Sequence, residues 1–201
     1  MALGRPRTAT DAQVLAGAAR AIARVGPARL TLAEVGREVG LAPATVLQRF
    51  GSKRGLMLAL VRHSTLTAAD GFAIPAKSRH PVRALIDGMA DRTEGLTPVA
   101  LSNHLAFLQM DLADPEFRQL AGEHARAVRE QIQICLDAAV AAGQLSTQDT
   151  LRLARSVQVA YNGAVLSWAL EPEGRLDDRV RQEIEVTLAA FRTGCAARHS
   201  A

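Results

Sequence analysis

Aromatic side chains make up only 3% of this 201-residue chain: five Phe, one Tyr and one Trp. With so few rings, a core has to be built from Ala, Leu and Val, and no period-2 run marks a strand. An all-α fold of about nine helices is expected. Cysteine is almost absent: Cys135 and Cys195 stand far apart in helical patterns, which excludes a disulfide scaffold and fits a reduced compartment. No Cys/His cluster has zinc spacing, so no metal is expected. No apolar run is long enough to span a bilayer, and the N-terminus MALGRPRTATDA lacks the apolar core of a signal peptide. A cytoplasmic protein with no membrane partner follows as an expectation. Enzyme signatures are missing as well. There is no Gly-rich phosphate loop, no HExxH and no nucleophile elbow, and His63, His80, His104, His124 and His199 are scattered. Neither catalytic residues nor a cofactor are expected.

What is present is a charge asymmetry. The net charge of +4 splits unevenly: residues 1–66 hold 10 Arg/Lys against 3 Asp/Glu, and residues 67–201 hold 14 against 17. Basic charge concentrated in one segment calls for a polyanionic partner there.

That segment contains LTLAEVGREVG-LAPATVLQRF-GSK, two short helices joined by a tight turn. This is the spacing of a helix-turn-helix, whose second helix enters the major groove of DNA. Thr31 and Glu34 form a capping-box pattern. Leu32, Val35 and Val39 recur at helical spacing and give the first helix its buried face. Gly36 sits where the crossing helix is expected to come closest, and Gly40 supplies the positive φ that ends the helix. Leu41, Val46 and Phe50 pin the second helix to the first, and Pro43 falls in its first turn.

The flanks extend the pattern. A helix from Asp11 to Val25 precedes it, with Val14, Leu15, Ala18, Ala21 and Ile22 on one side and Gly26 at its end. Behind it, Gly51-Ser52-Lys53-Arg54-Gly55-Leu56 opens a further helix with Ser52 as N-cap. Residues 8–60, the first third of the chain, resemble the DNA-binding domain of the tetracycline-repressor (TetR) family. The chain departs from that family's pattern at three places. Ala42 stands where a Ser usually caps the recognition helix, Ala44 where Gly is common, and Leu47 where a Tyr offers its hydroxyl to a phosphate.

Recognition-helix residues turned away from Val46 and Phe50 are Ala44, Thr45, Leu47, Gln48 and Arg49. Thr45 can bond a phosphate or a base edge, Gln48 an adenine, and Arg49 a guanine or a phosphate. Thr31 and Arg37 are placed for backbone or groove-edge contact, and Lys53 resembles the family's phosphate-binding lysine. Arg5 and Arg7 lie in an arm that either reaches a minor groove or stays disordered.

Helices are predicted over Ser52–Ala69, Pro81–Arg92, Thr97–Ala113 and Asp114–Ala142. Two more run from Ser146 or Thr147 to Leu170 and from Asp177 to Ala197, with GFAIPAK (71–77) as a connector. The domains read as 1–51 (arm and helix-turn-helix), 52–76 (connecting helix and linker) and 77–201 (ligand binding and dimerisation). The resemblance implies a small-molecule pocket. Asn103, His104, Phe107 and Met110 on one helix, and Gln158, Tyr161, Asn162 and Trp168 on another, mix rings with polar groups as a pocket for a largely apolar ligand requires. Val180, Ile184, Leu188, Phe191 and Cys195 form an apolar stripe on the last helix. Ala160, Gly163, Ala164 and Ser167 leave the helix before it open to close approach. Paired across a two-fold axis, these helices would make a four-helix bundle. The reading is a homodimeric repressor released from double-stranded operator DNA by a small-molecule effector. A second reading has the C-terminal domain only dimerise or recruit a protein partner.

Overall fold

The computed structural model describes residues 9–67 and 77–193. Among the described residues there are nine helices and no strand: α1 (Asp11–Arg29), α2 (Leu32–Val39), α3 (Pro43–Phe50), α4 (Lys53–Thr67), α5 (Pro81–Asp91), α6 (Pro98–Ala113), α7 (Pro115–Ala141), α8 (Thr150–Leu170) and α9 (Leu176–Ala189). Arg5, Arg7, Cys195, His199 and nearly all of the GFAIPAK connector lie outside the described residues.

Local chemistry sets most helix ends. Thr10 and Gln13 form a reciprocal capping box at the start of α1. Gly26, at φ 78° and ψ 161°, interrupts α1 just before Pro27, so the regular helix ends where the sequence places it and one more turn follows. Ser52 caps the start of α4 by accepting the Gly55 N–H, and the Asp114 carboxylate accepts the N–H groups of Glu116 and Phe117 at the start of α7.

Two ends differ from the sequence reading. α8 starts at Thr150 under an Asp149 cap rather than at Ser146 or Thr147, and α9 stops at Ala189 rather than near Ala197. One cause accounts for both. The Ser146 N–H donates to the Phe191 carbonyl, the Thr193 N–H donates to the Gln144 carbonyl, and Leu145 pairs with Arg192. These backbone groups bond across the two segments, so neither segment can continue its helix.

The chain forms two compact units. The first combines Met1–Ser64 with Val99–Gly122, and the second combines Thr65–Pro98 with Glu123–Ala201. The domain boundaries expected from the sequence follow chain order; these units do not, because part of α6 and the start of α7 pack with the helix-turn-helix. Val14, Ala21, Val35, Val46, Leu56 and Phe117 lie at the heart of the first unit's core. In the second unit α9 packs on both α5 and α8. Val180, Ile184 and Leu188 are buried there, with Ala164 of α8. The sequence reading puts Ala164, Ile184 and Leu188 on a subunit surface. The structure places them in their own unit's core, since α5 supplies an apolar partner (Leu85, Ile86, Met89) that α9 meets first. Among the described residues no helix is long and apolar enough to cross a membrane.

Candidate nucleic-acid interface

The helix-turn-helix is held by a turn with almost no freedom. Gly40, at φ 69°, closes α2 in the left-handed region. The Leu41 N–H then donates back to the Gly36 carbonyl at 2.9 Å. A Cβ on Gly36 would stand 2.4 Å from the Leu41 carbonyl oxygen. Gly36 does mark a close approach, but the nearest atoms belong to the backbone of the turn and the first residue of α3 rather than to the side of a crossing helix. Thr31 caps α2 by accepting the Glu34 N–H. The expected return bond from Glu34 is replaced: its carboxylate accepts from Arg24 and Arg37 instead. Those two guanidinium groups, Arg24 first, hold the Glu34 carboxyl below the usual carboxylate range.

α3 has no side-chain cap, as Ala42 implies, and Pro43 occupies its first turn. Val46 is fully buried and Phe50 half-buried, which turns Ala44, Leu47 and Gln48 outward. These three positions, at i, i+3 and i+4, form one exposed face. Leu47 is 47% exposed, so it does not pack away and presents an apolar tip on this exposed face. Thr45 is half-buried beside them. Arg49 departs from the sequence reading. It is half-buried, and its guanidinium donates to the Ala9 carbonyl and pairs with Asp11 at 3.4 Å, so it ties the start of α1 to α3.

The surrounding basic charge is partly neutralised from within. Arg37 is exposed and pairs with Glu34 at 2.7 Å. The Lys53 ammonium donates to the Ala28 carbonyl at 3.0 Å, at the junction of α4 with the end of α1. Arg54 pairs with Asp114 and Glu116 and stacks over the Phe117 ring at 5.4 Å. It is a packing arginine, a role the sequence could not show because its partners lie some 60 residues away.

The residues expected around a ligand fall in both units and are largely engaged. In the first unit, the Asn103 amide donates to the Ala23 carbonyl, Phe107 meets Phe117 edge-on at 6.3 Å, and Met110 packs on the same core. These three serve the helix-turn-helix unit, while His104 is exposed. In the second unit, Gln158 donates to the Ala125 carbonyl, and Trp168 is buried with its indole N–H on the Gly174 carbonyl. Tyr161 is half-buried, and burial raises its hydroxyl pKa, opposed in part by Arg92. Asn162 is exposed. The second unit also has a cavity of about 550 Å³ lined by Arg83, Asp87, Arg181, Glu185 and Arg192. It is polar, and its Arg181 is bonded to Asp87 and Asp91.

One exposed apolar face escaped the sequence reading. Val159, Leu166 and Leu170 on α8 are exposed, with Gly163 between them. Their spacing of 4, 3 and 4 residues is itself a helical stripe, opposite to the buried Leu153, Val157 and Ala164. Gly163, which the sequence reading left open to close approach, lies on this face; its apolar neighbours Val159, Leu166 and Leu170 were not singled out.

Comparison with known proteins bears on both halves. A family model described as bacterial regulatory proteins, tetR family, matches residues 14–60. Another, described as the C-terminal part of BetI-type transcriptional repressors, matches residues 78–193. The transcriptional regulator BetI 1 of Chromohalobacter salexigens is 25% identical over 180 residues, covering 85% of this chain and 84% of its own. Among solved structures, SmeT, the repressor of the Stenotrophomonas maltophilia multidrug efflux pump SmeDEF, superposes with a TM-score of 0.66 at 22% identity, covering 94% of this chain and 93% of its own. A transcriptional regulator from Saccharomonospora viridis, in complex with choline, gives 0.72 at 22% identity, covering 89% and 95%. The chain belongs to the TetR family, whose members are DNA-binding transcriptional regulators rather than enzymes, and its C-terminal half is of the BetI type.

Proposed function

We propose that the protein is a homodimeric repressor that places two copies of α3 in successive major grooves and is released by a small ligand. The observation that carries the DNA half is the exposed face Ala44, Leu47 and Gln48, presented by a turn locked at Gly36. Gln48 reads a base, Leu47 contacts a thymine methyl, and Thr31, Arg37, Thr45 and Lys53 address the backbone. Binding weakens steeply with salt because the basic segment releases counterions. Selection of duplexes from a random pool tests this reading. Gln48→Ala is expected to relax preference at one base position, at a cost of roughly 1–3 kcal/mol there. Lys53→Ala is expected to weaken all sequences alike and to lower the salt slope by about one unit. A uniform loss from Gln48→Ala would place Gln48 on the backbone instead.

The dimer half rests on the exposed stripe Val159, Leu166 and Leu170 of α8, with Val186 on α9. Gly163 has open space on its Cβ side, so a partner helix can approach closely.

The ligand half is supported by relatives. SmeT also matches in complex with triclosan, and the S. viridis regulator matches in complex with choline. For this chain we propose a largely apolar ligand with one or two polar handles, Tyr161 and Asn162 on α8 serving as those handles. Trp168, two turns along from Tyr161, makes the ligand's arrival visible. In a screen of such ligands, the true effector is expected to change Trp168 emission and to release DNA, and Tyr161→Phe to reduce release without altering operator affinity of the free protein. If no compound raises the melting temperature or shifts Trp168 emission, the reading without a small ligand stands.

A further inference from the structure

The break in α1 leaves a backbone acceptor that the helix cannot satisfy itself. A carbonyl in a helix accepts from the N–H four residues on. For Ala23 that residue is Pro27, which has no N–H, and Gly26 at φ 78° and ψ 161° already leads the chain out of helical geometry. A side chain from α6 fills the gap. The Asn103 amide donates to the Ala23 carbonyl at 2.9 Å. Its oxygen lies 2.7 Å from where a Cβ on Gly26 would stand, so only glycine leaves room for it. Glycine provides the space, proline removes the competing donor, and asparagine occupies both. All of these groups belong to the first unit.

The position of this contact gives it leverage. Arg24, next to Ala23, bonds both Glu34 and Glu38 of α2, and Arg20, one turn earlier on α1, also pairs with Glu38. Whatever holds this stretch of α1 therefore holds α2, and the locked turn passes that placement to α3. We propose that Asn103 is a positioning residue for DNA binding: its bond to the Ala23 carbonyl fixes the broken end of α1 so that α2 and α3 are presented correctly. The proposal rests on DNA binding alone and is independent of any ligand.

The test exploits a near-isosteric change. Asn103→Asp keeps the shape but sets a carboxylate against the Ala23 carbonyl, with no proton to donate. Affinity is measured on a duplex the wild-type protein selects from a random pool, with wild type as reference at each pH. At about pH 8 the variant is expected to bind about tenfold more weakly, the consequence of one lost, partly buried hydrogen bond. Repulsion by the carbonyl pushes that carboxyl's pKa above the ordinary value of about 3.9. As the pH falls through that raised pKa, the protonated group donates its O–H, and most of the loss is recovered. A weakening that does not recover, or wild-type affinity at about pH 8, overturns the proposal. If Asn103→Asp does not fold, Gly26→Ala reads the same coupling, because its Cβ displaces Asn103. Adding Asn103→Ala to Gly26→Ala is then expected to weaken binding less than twofold further. Fully additive losses overturn the proposal.

Discussion

Leu188→Arg is expected to unfold the second unit rather than to release folded monomers. Leu188 has no exposed surface and lies where α9 packs on α5 and α8. Truncating such a leucine typically costs about 2–5 kcal/mol. Replacing it by a guanidinium adds an unpaired buried charge, which exceeds that range and approaches the whole stability of a small domain. Circular dichroism checks this by the loss of helicity at room temperature. Leu166→Arg is expected to behave oppositely. Leu166 is 47% exposed on the stripe it shares with Val159, and arginine there keeps its charge in water in the free subunit. Helicity is expected to be retained while sedimentation shifts to the monomer. Operator affinity then falls by about 10²–10⁴, because the second half-site is no longer tethered to the first. A Leu166→Arg, Val159→Arg double variant that still sediments as a dimer would remove this face from the interface.

The second large effect is expected at Gly36. Alanine is the better helix former by roughly 1 kcal/mol, so propensity alone favours Gly36→Ala. Sterics oppose it. The new Cβ would meet the Leu41 carbonyl oxygen at 2.4 Å, with the Leu41 carbonyl carbon and the Pro43 nitrogen each at 3.5 Å. All three are backbone atoms and cannot rotate away. Overpacking against yielding side chains already costs about 1–3 kcal/mol, so the clash wins. Relief requires the turn to open, which stretches the bond from the Leu41 N–H to the Gly36 carbonyl and tilts α3. Gly36→Ala is expected to lose sequence-specific binding by at least about a hundredfold, with a net stability loss of about 1–2 kcal/mol. Gly40→Ala is the control. Its Cβ meets nothing within 4 Å, so only the left-handed φ of 69° is strained. About 1–2 kcal/mol of stability is expected to go, with specificity kept. Thermal melts and titrations against the selected duplex separate the two. Equal loss of specificity in both variants would mean that the turn's flexibility matters, rather than the Gly36 contact.

The helix-turn-helix was legible in the sequence because its determinants are local. Caps at Thr31 and Ser52, the positive-φ Gly40 and the anchors Val46 and Phe50 each act within a turn or two of themselves. The exposed face of α3 followed from the same periodicity. Arg49 was misread because its partners, Ala9 and Asp11, lie about 40 residues upstream. Asn103 looked like a polar handle on an apolar helix, since the acceptor it serves exists only once α1 breaks 80 residues earlier. Ala164, Ile184 and Leu188 were read as a subunit surface for a related reason. An apolar stripe records that a face is covered, and does not say whether the cover comes from the same chain or another.

The sequence by itself determined the all-α architecture, most helix ends, the helix-turn-helix and the side of α3 left exposed. Propensity, capping and hydrophobic period act over a few residues and need no knowledge of the rest. The tertiary structure decided which polar and apolar groups remained available. It drew Arg49, Asn103 and Gln158 into bonds with backbone carbonyls far along the chain, and it buried Ile184 and Leu188 within their own unit. It also paired residues 144–146 with 191–193, which shortened α8 and α9 together. Each of these outcomes depends on which carbonyl lacks a partner and which apolar face is met first, and both are properties of the packed chain.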